Sequence, residues 1–189
     1  ELTNKGYKVT IYDKKKSLYL KKGQKFIKGD ICNFRKLQKA VSKSQIVYNF
    51  AGLSDLNNAI KEPLLSVKLN VLATVQLMEL CTKFKIKRFI HASSVYAISK
   101  DGGFYRSSKK AAEEYIEEYK NIHNLKFTIL RFGSLYGPRA DNNNGIKKLI
   151  KSAKTKKKII YRGNKMAVRR YIHVQDAAKL SVQILSPKF

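Results

Sequence analysis

Three side chains near the middle of the chain, Ser94, Tyr105 and Lys109, have the types and spacing of a proton-transfer site. Tyr105 and Lys109 lie four residues apart in a segment of helix formers, which places them on one helical face a turn apart. An ammonium beside a phenol favours the phenolate and lowers the pKa of the tyrosine, which makes Tyr105 a usable general acid or base near neutral pH. Ser94 ends the preceding apolar run, and its hydroxyl could bond the same oxygen or a substrate hydroxyl.

A Tyr-x-x-x-Lys pair alone is weak evidence in a lysine-rich chain, so the surrounding elements decide its weight. Short β-branched and aromatic runs alternate with amphipathic helices. The sequence predicts strands at 7–12, 25–27, 46–50, 88–92 and 126–132, and helices at 33–43, 63–84 and 107–123. Strands joined by helices imply right-handed crossovers and a parallel sheet covered on both faces. The predicted fold class is therefore α/β, a doubly wound parallel sheet of the Rossmann-like kind.

Ligands of such sheets bind beyond the carboxyl ends of the strands. The residues predicted at those ends are Asp13, Asp30, Ala51-Gly52, Ser93-Ser94 and Gly133-Ser134. After Tyr136 the alternation loosens into a Gly-Pro turn, a basic helix at 146–153, strands at 158–161 and 170–173, and a helix from Gln175.

The net charge of +27 attracts polyanions in general, such as nucleic acid, an acidic membrane surface or a nucleotide. The chain has 32 lysines and 8 arginines, whereas bidentate recognition of phosphate and guanine favours arginine. The lysines are spread over the whole length, with dense runs only at 14–16 and 154–158. This pattern favours a solvated lysine surface, with a polyanion-binding face as the alternative.

Size and composition exclude other classes of protein. A chain of 189 residues with 43% hydrophobic residues can bury a core, which excludes a disordered tail or a disulfide-stapled miniprotein. No apolar run approaches the roughly 20 residues of a membrane span, and residues 1–6 carry no signal-peptide pattern. Cys32 and Cys81 have no metal-ligand spacing, so we expect no metal site and a reducing, cytoplasmic location.

The order and spacing of several motifs resemble those of extended short-chain dehydrogenases/reductases, in the NAD-dependent epimerase/dehydratase branch that contains the nucleotide-sugar 4-epimerases. The similarity spans nearly the whole chain. Its motifs are residues 11–13 (IYD), 29–31 (GDI), 49–52 (NFAG), 70–71 (NV), 91–94 (HASS), 105–109 (YRSSK), 130–139 (LRFGSLYGPR) and 168–176 (VRRYIHVQD).

The resemblance implies NAD as the cofactor. Asp13 would accept hydrogen bonds from the adenosine ribose and repel a 2′-phosphate, which favours NAD over NADP; the alternative is an exposed acidic residue in a Lys-rich turn. The further positions implied to contact or support the cofactor are Asp30, Ile31, Phe50, Ala51, Gly52, Asn70, Tyr105, Lys109 and Phe132. Asn70 could equally be an ordinary polar helix position.

The same resemblance implies substrate contacts from Ser94 and Ser134 near the sugar, and from Arg169 on the nucleotide diphosphate. Arg139 is either a substrate contact or a structural loop arginine. Ser94, Tyr105 and Lys109 are the implied catalytic residues. His91 and His173 are interpreted as hydrogen-bonded strand histidines rather than catalysts.

Parts of the family pattern are not found in the chain. The opening strand and its Gly-x-x-Gly-x-x-Gly turn, which cradle the pyrophosphate, are not seen before Glu1, and the sequence stops at Phe189 before most of the substrate domain. We therefore expect a chain truncated at both ends: an incomplete NAD-binding domain at 1–135, and at 136–189 a partial substrate-binding region interleaved with returning Rossmann elements.

Two local departures also matter. Only ten residues separate Ser94 from Tyr105, a shorter connection than most members have. Aligning on Val95-Tyr96 would move the catalytic serine's match to Ala92; we prefer Ser94, because the strand fixes its direction. Ser134 stands where many 4-epimerases have asparagine.

The resemblance favours reversible oxidation at C4 of a nucleotide-linked sugar. The 4,6-dehydratase branch carries an acidic pair directly after its catalytic hydroxyl residue, whereas Val95 and Tyr96 follow Ser94 here. The alternatives are a nucleotide-sugar reductase or dehydrogenase, and a noncatalytic basic binding module for which RNA is one possible ligand. We expect a UDP-sugar substrate, a homodimer in the complete protein, and neither membrane nor nucleic-acid binding.

Overall fold

Strands and helices alternate through the computed structural model, which describes residues 1–159, 166 and 168–186. The predicted α/β class is confirmed. The chain divides into two compact units, Glu1–Arg131 and Phe132–Phe189. Of the strand predicted at 158–161, residues 158 and 159 are not in a strand, and residues 160 and 161 lie outside the described residues.

The first unit holds five strands and five α-helices. Its strands are β1 (Thr10–Asp13), β2 (Lys25–Lys28), β3 (Ile46–Asn49), β4 (Arg88–Ser94) and β5 (Phe127–Phe132), the last of which ends one residue into the second unit. Its helices are α1 (Phe34–Val41), α2 (Leu56–Lys61), α3 (Pro63–Ser66), α4 (Ala73–Lys83) and α5 (Gly103–His123), with short 3₁₀ helices at Thr3–Lys5 and Val95–Ile98.

The strands form two sheets in this unit. β1 and β2 pair in parallel from Thr10↔Lys25 onward, and β3 and β4 pair in parallel from Ile46↔Arg88 onward. β5 lies on the other side of β4, and no strand of the described chain joins the two sheets. Both sheets pack against one hydrophobic cluster; its buried members are Leu37, Val41, Leu77, Met78, Leu80, Cys81, Ile86, Phe89, Ile116 and Leu125, with Tyr12 of β1 and Val47 of β3 against it.

Capping side chains fix where several helices begin. The Asn33 side chain accepts a hydrogen bond from the backbone N–H of Lys36 (3.0 Å), and Asp55 does the same for Asn58 (2.9 Å). Each supplies a partner to a backbone donor that the first helical turn cannot satisfy. Pro63 opens α3, a position where its fixed φ and missing N–H cost little.

The long helix predicted at 63–84 is present but not uniform. Between α3 and α4 the segment Val67–Leu72 is π-helical, and it carries the fully buried Asn70. By length and composition the stretch Pro63–Lys83 could cross a membrane, contrary to the sequence-based expectation that no segment is so apolar. Packing in the core explains the apolar composition of this stretch equally well, since residues such as Ala73 and Leu77 are buried. A core helix of a protein that spans no membrane can have the same length and composition.

Two further sequence predictions differ from the structure. Helix α2 was not predicted, because its six residues, 56–61, are mostly polar and form no periodic apolar stripe. Strand β1 begins at Thr10 rather than Tyr7, because the Tyr7 backbone N–H bonds the Leu2 carbonyl (3.1 Å) to close the N-terminal helical turn. Gly6 ends that turn with φ 82°, in the left-handed conformation that favours glycine.

The second unit has a parallel pair, β6 (Ser134–Tyr136) and β7 (Tyr171–His173), with helices α6 (Gly145–Lys156) and α7 (Val174–Gln183). Gly133, just before β6, lies close to the backbone of Arg170: a Cβ on Gly133 would lie 2.5 Å from the Arg170 carbonyl oxygen. The backbone N–H of Ser134 donates to that same oxygen (2.7 Å). β6 was missed from sequence because it has only three residues.

Candidate active site

The carboxyl end of β4 brings the predicted catalytic serine beside helix α5. Ser94 is the last residue of β4 and is 7% exposed. Its hydroxyl oxygen accepts a hydrogen bond from the Tyr96 backbone N–H (3.3 Å), which begins the 3₁₀ helix Val95–Ile98. The Tyr96 ring then packs edge-on against Tyr105 with ring centroids 6.2 Å apart. The short connection between Ser94 and Tyr105 thus consists of a 3₁₀ helix, a four-residue loop at 99–102 and the first residues of α5.

Tyr105 and Lys109 both point inward from the first two turns of α5. They are 8% and 5% exposed, and the Lys109 Nζ lies 6.0 Å from the centre of the Tyr105 ring. Nζ donates to the Ala92 carbonyl oxygen of β4 at 2.8 Å. One face of α5 therefore presents a phenol and an ammonium together beside the end of β4, as the spacing predicted.

Burial controls how these two groups titrate. It raises the pKa of Tyr105, and hydrogen bonding with Ser94 offsets part of that rise. The prediction that the Tyr105 pKa is lowered is wrong for this structure: burial raises it, and the downward influence comes from Ser94 rather than from Lys109. Burial also lowers the pKa of Lys109 to about 8, against a smaller upward influence from Glu113. The choice of Ser94 rather than Ala92 as the match of the catalytic serine stays a prediction.

Asn70 holds the loop after β3 in place. Its Oδ1 accepts from the Leu53 backbone N–H (2.7 Å), and its Nδ2 donates to the Leu53 carbonyl (2.9 Å) and to Ser108 Oγ (2.9 Å). Ser108 Oγ in turn donates to the Tyr105 carbonyl (2.8 Å). Gly52 has φ 154°, and a Cβ there would lie 2.6 Å from Asn70 Oδ1 and 3.7 Å from Lys109 Nζ. The Gly52 backbone thus runs directly past the lysine.

A buried polar chain continues beneath the site and was not found from the sequence. Asn49 Nδ2 donates to Thr74 Oγ1 (3.0 Å), which donates to the Asn70 carbonyl (2.8 Å). His91 Nδ1 lies 3.4 Å from Asn49 Nδ2, while His91 Nε2 has no hydrogen-bond partner within the described residues. His91 was interpreted as a hydrogen-bonded strand histidine; it lies in β4, and this is met at Nδ1 but not at Nε2. Burial first, and then Lys109, lower its pKa to about 3, so His91 is neutral.

The residues predicted around the adenosine lie at the ends of β1 and β2. Asp13 Oδ1 accepts from the Lys15 backbone N–H (2.9 Å). Asp30 Oδ1 accepts from the Cys32 N–H (2.9 Å), and its Oδ2 pairs with Lys14 Nζ (3.0 Å). These contacts, that of Cys32 first, lower the Asp30 pKa. A cleft of about 490 Å³ opens here, lined by Asp30, Cys32, Asn33, Phe34 and Arg35.

The other predicted cofactor residues differ in exposure. Ile31 is partly buried and packs against the core cluster. Phe50 is 56% exposed and meets the Tyr48 ring edge-on at 5.6 Å, and Ala51 and Gly52 are also exposed. An aromatic ring and two small residues thus face outward after β3.

Four predicted residues lie in the second unit. Phe132 ends β5 and Ser134 begins β6. Arg139 has φ 68° in the loop after β6, and Arg169 is exposed just before β7. His173 caps α7, accepting at Nδ1 from the Gln175 N–H (3.3 Å), which fits its interpretation as a strand histidine. Substrate contacts from Ser134, Arg139 and Arg169 stay predictions.

An ion pair between the buried Glu113 and the exposed Arg131 was also missed. Glu113, 5% exposed, accepts from Arg131 Nε at 3.1 Å on each of its oxygens and from Arg131 Nη2 at 2.7 Å. Its position four residues after Lys109 was a readable signal, because Tyr105, Lys109 and Glu113 share one helical face. The partner on β5 could not be read from local spacing.

A parallel α/β sheet with a serine at a strand end and an inward-facing Tyr-x-x-x-Lys pair defines the short-chain dehydrogenase/reductase class of fold and site. The model of the NAD dependent epimerase/dehydratase family matches residues 1–188. The chain belongs to this family.

Curated relatives include both epimerases and dehydratases. A putative UDP-glucose 4-epimerase of Methanocaldococcus jannaschii is 26% identical over 162 residues, covering 76% of this chain and 53% of that protein. The dTDP-D-glucose 4,6-dehydratase of Homo sapiens is 27% identical, covering 87% of the chain and 51% of that protein. The chain spans about half the length of these two relatives.

Solved structures agree on the fold. UDP-glucose 4-epimerase of Thermotoga maritima, in a structure with UDP-glucose, superposes with a TM-score of 0.88 at 22% identity, over 98% of this chain and 67% of that one. The NAD complex of the Thermus thermophilus enzyme gives 0.84 at 23% identity, over 98% and 69%.

Proposed function

We propose that the protein is an NAD-dependent nucleotide-sugar epimerase that reversibly oxidises C4 of the sugar, with Tyr105 as the acid and base. The observation that carries this proposal is the meeting of Tyr105, Lys109 and Ser94 at the end of β4. Relatives named as UDP-glucose and UDP-glucuronate 4-epimerases support a UDP-sugar as the substrate.

The described residues fit NAD. Asp13 would accept hydrogen bonds from the adenosine ribose, and the open cleft beside Asp30 would take the adenine. Phe50 and the Gly52 backbone would line the dinucleotide, because Gly52 has no side chain to separate the ligand from Lys109. We assign NAD binding to residues 1–135 and sugar-nucleotide binding to 136–189, with Ser134, Arg139 and Arg169 as substrate contacts.

Bound NAD supplies the hydride acceptor and donor at C4. The Tyr105 oxygen takes the proton of the C4 hydroxyl and returns it after the sugar has turned over. Ser94 donates a hydrogen bond to the sugar oxygen. Tyr105 acts as a base in its ionised form, which a neighbouring Lys109 ammonium would stabilise against the burial that raises the pKa of the phenol.

Reductase or dehydrogenase activity is the alternative within the family, and it differs in stoichiometry. An epimerase interconverts UDP-glucose and UDP-galactose without net NADH, whereas a dehydrogenase accumulates it. Dehydration is disfavoured, because Val95 and Tyr96 follow Ser94 in place of an acidic pair.

The test uses the longest natural form of the protein, with UDP-galactose and UDP-N-acetylgalactosamine as substrates and NAD added. We predict that Tyr105→Phe lowers turnover by about 10²-fold or more while thermal stabilisation by NAD is retained. Tyr115→Phe is the matched control, since Tyr115 is 49% exposed on the same helix and should leave turnover unchanged.

Normal turnover by the Tyr105→Phe variant would show that another residue is the catalytic base. Stabilisation by any polyanion, falling steeply with salt and without selectivity for NAD, would favour the basic binding module instead.

We further propose that the complete protein is a cytoplasmic homodimer. Both cysteines are free, which fits a reducing compartment. Leu64, Val67 and Leu72 are 84%, 53% and 50% exposed on the stretch Pro63–Lys83 and give it an apolar outer face. Leu64→Glu should then yield monomers by light scattering, whereas Leu18→Glu, at a 94% exposed loop leucine, should not. A monomeric wild type would contradict the dimer.

A further inference from the structure

The buried carboxylate of Glu113 takes no part in the proposed reaction as described above. It lies one helical turn after Lys109 and two turns after Tyr105, on the buried face of α5. Both its oxygens accept hydrogen bonds from Arg131 of β5. A carboxylate is rarely buried at such a position unless it is paired, and Arg131 provides that pairing in a bidentate geometry.

Glu113 is placed to act on Lys109 through space rather than by contact. Lys109 Nζ forms its hydrogen bond with the Ala92 carbonyl of β4, and no Lys109 salt bridge is found within the described residues. Two further titratable groups lie near Lys109, Tyr105 on its own helix and His91 on β4. His91 is neutral at physiological pH, and the Tyr105 phenol is protonated. Glu113 is therefore the negative charge that offsets the burial of the ammonium.

Arg131 modulates that charge. Its guanidinium is 41% exposed and reaches Glu113 from β5, whereas Lys109 lies one helical turn before Glu113 on α5. A cation bound bidentately to Glu113 cancels part of the field that Lys109 experiences. Removing Glu113 and removing Arg131 therefore change the potential at Lys109 in opposite directions.

We propose that Glu113 is a positioning residue for the proposed epimerase reaction, which keeps the Lys109 ammonium charged beside Tyr105, and that Arg131 limits the strength of this effect. This inference rests on the proposed function, because the charge of Lys109 matters to catalysis only if Tyr105 is the acid and base.

The experiment measures two things for Glu113→Gln and Arg131→Gln. The first is the pH dependence of kcat with UDP-galactose. The second is the pKa of Lys109 in the protein without NAD. It is obtained from the rate at which a small amine-reactive reagent acylates Lys109 at different pH values, and mass spectrometry measures the acylated fraction. The second readout needs no activity, so failure of the proposed function and failure of this inference can be told apart.

Glu113→Gln should shift the Lys109 titration, and the alkaline limb of the activity profile, downward. The shift should be at most about two pH units, the value for an unpaired unit charge about 6 Å away at an effective dielectric of about 20, because the Arg131 cation already cancels part of the Glu113 charge. Arg131→Gln should shift both upward. The double variant should return toward the wild-type midpoint. Glu114→Gln is the matched control, since Glu114 is 66% exposed and pairs with Lys110 at 3.8 Å; it should shift neither.

A purely structural ion pair would give a different pattern. The two single variants would then lose stability and activity together, with Lys109 titrating as in the wild type. Equal midpoints in both single variants, or shifts of the same sign, would overturn the proposal. If Arg131→Gln fails to fold, Arg131→Lys keeps a positive charge without the bidentate contact and should give a smaller upward shift.

Discussion

Replacing Lys109 by methionine should stabilise the protein near neutral pH while abolishing the proposed activity. Lys109 is 5% exposed, and burial lowers its pKa from 10.5 to about 8. A pKa lowered by this amount means that the charged Lys109 side chain reduces the free energy of unfolding by about 3 kcal/mol. The variant also loses the hydrogen bond to the Ala92 carbonyl, at a cost of about 1 kcal/mol. The net expectation is a gain of about 2 kcal/mol.

The sign of the pH dependence follows from which state binds more protons. Because the folded pKa lies below the unfolded one, the unfolded chain binds more protons between the two values, and wild-type stability from this group rises with pH across that window. Lys109→Met has no such dependence. Its advantage over the wild type should therefore shrink by about 2.5 kcal/mol between about pH 7 and about pH 10.

Urea denaturation followed by circular dichroism, at both pH values, measures this difference, and other groups that titrate cancel in the comparison. Lys110→Met is the matched control, because Lys110 is the exposed neighbour on the same helix, in a surface pair with Glu114. The reasoning is refuted if Lys109→Met is less stable than the wild type at neutral pH, or if the difference between them does not change with pH.

Two substitutions test the loop beside Lys109. Asn70→Ala removes three hydrogen bonds to Leu53 and Ser108 and should cost about 3 kcal/mol in the urea unfolding free energy; a cost below about 1 kcal/mol would mean that water replaces the amide. Gly52→Ala should cost about 1–3 kcal/mol, because the new Cβ would lie 2.6 Å from Asn70 Oδ1. Gly103→Ala, also at positive φ but in open space, separates backbone strain from this contact, and equal losses in the two variants would contradict the steric explanation.

The sequence predicted the scaffold well where periodicity is strong. The strand before Ser94 and the helix that carries Tyr105 and Lys109 follow from apolar runs and helix formers, and the structure places them as predicted. Side-chain direction on a helix depends only on spacing, which is why the Tyr105 and Lys109 pair could be recognised.

What sequence could not supply depends on contacts between distant segments. Arg131 reaches Glu113 across 18 positions, and Asn49 meets Thr74 across 25. The rise in the Tyr105 pKa was mispredicted for the same reason, since desolvation depends on how closely the surrounding elements pack. The π-helical turn at Asn70 likewise has no local signature in a segment that reads as regular helix.

The separation of β1–β2 from β3–β4–β5 has a consequence for how the 189-residue chain behaves in solution. Backbone groups along a strand edge can template pairing with the same edge of another copy, which leads to strand exchange and precipitation. A net charge of +27 opposes such encounters by mutual repulsion between copies. Added salt screens that repulsion, so the lysine surface opposes association between copies most strongly in buffer of low ionic strength.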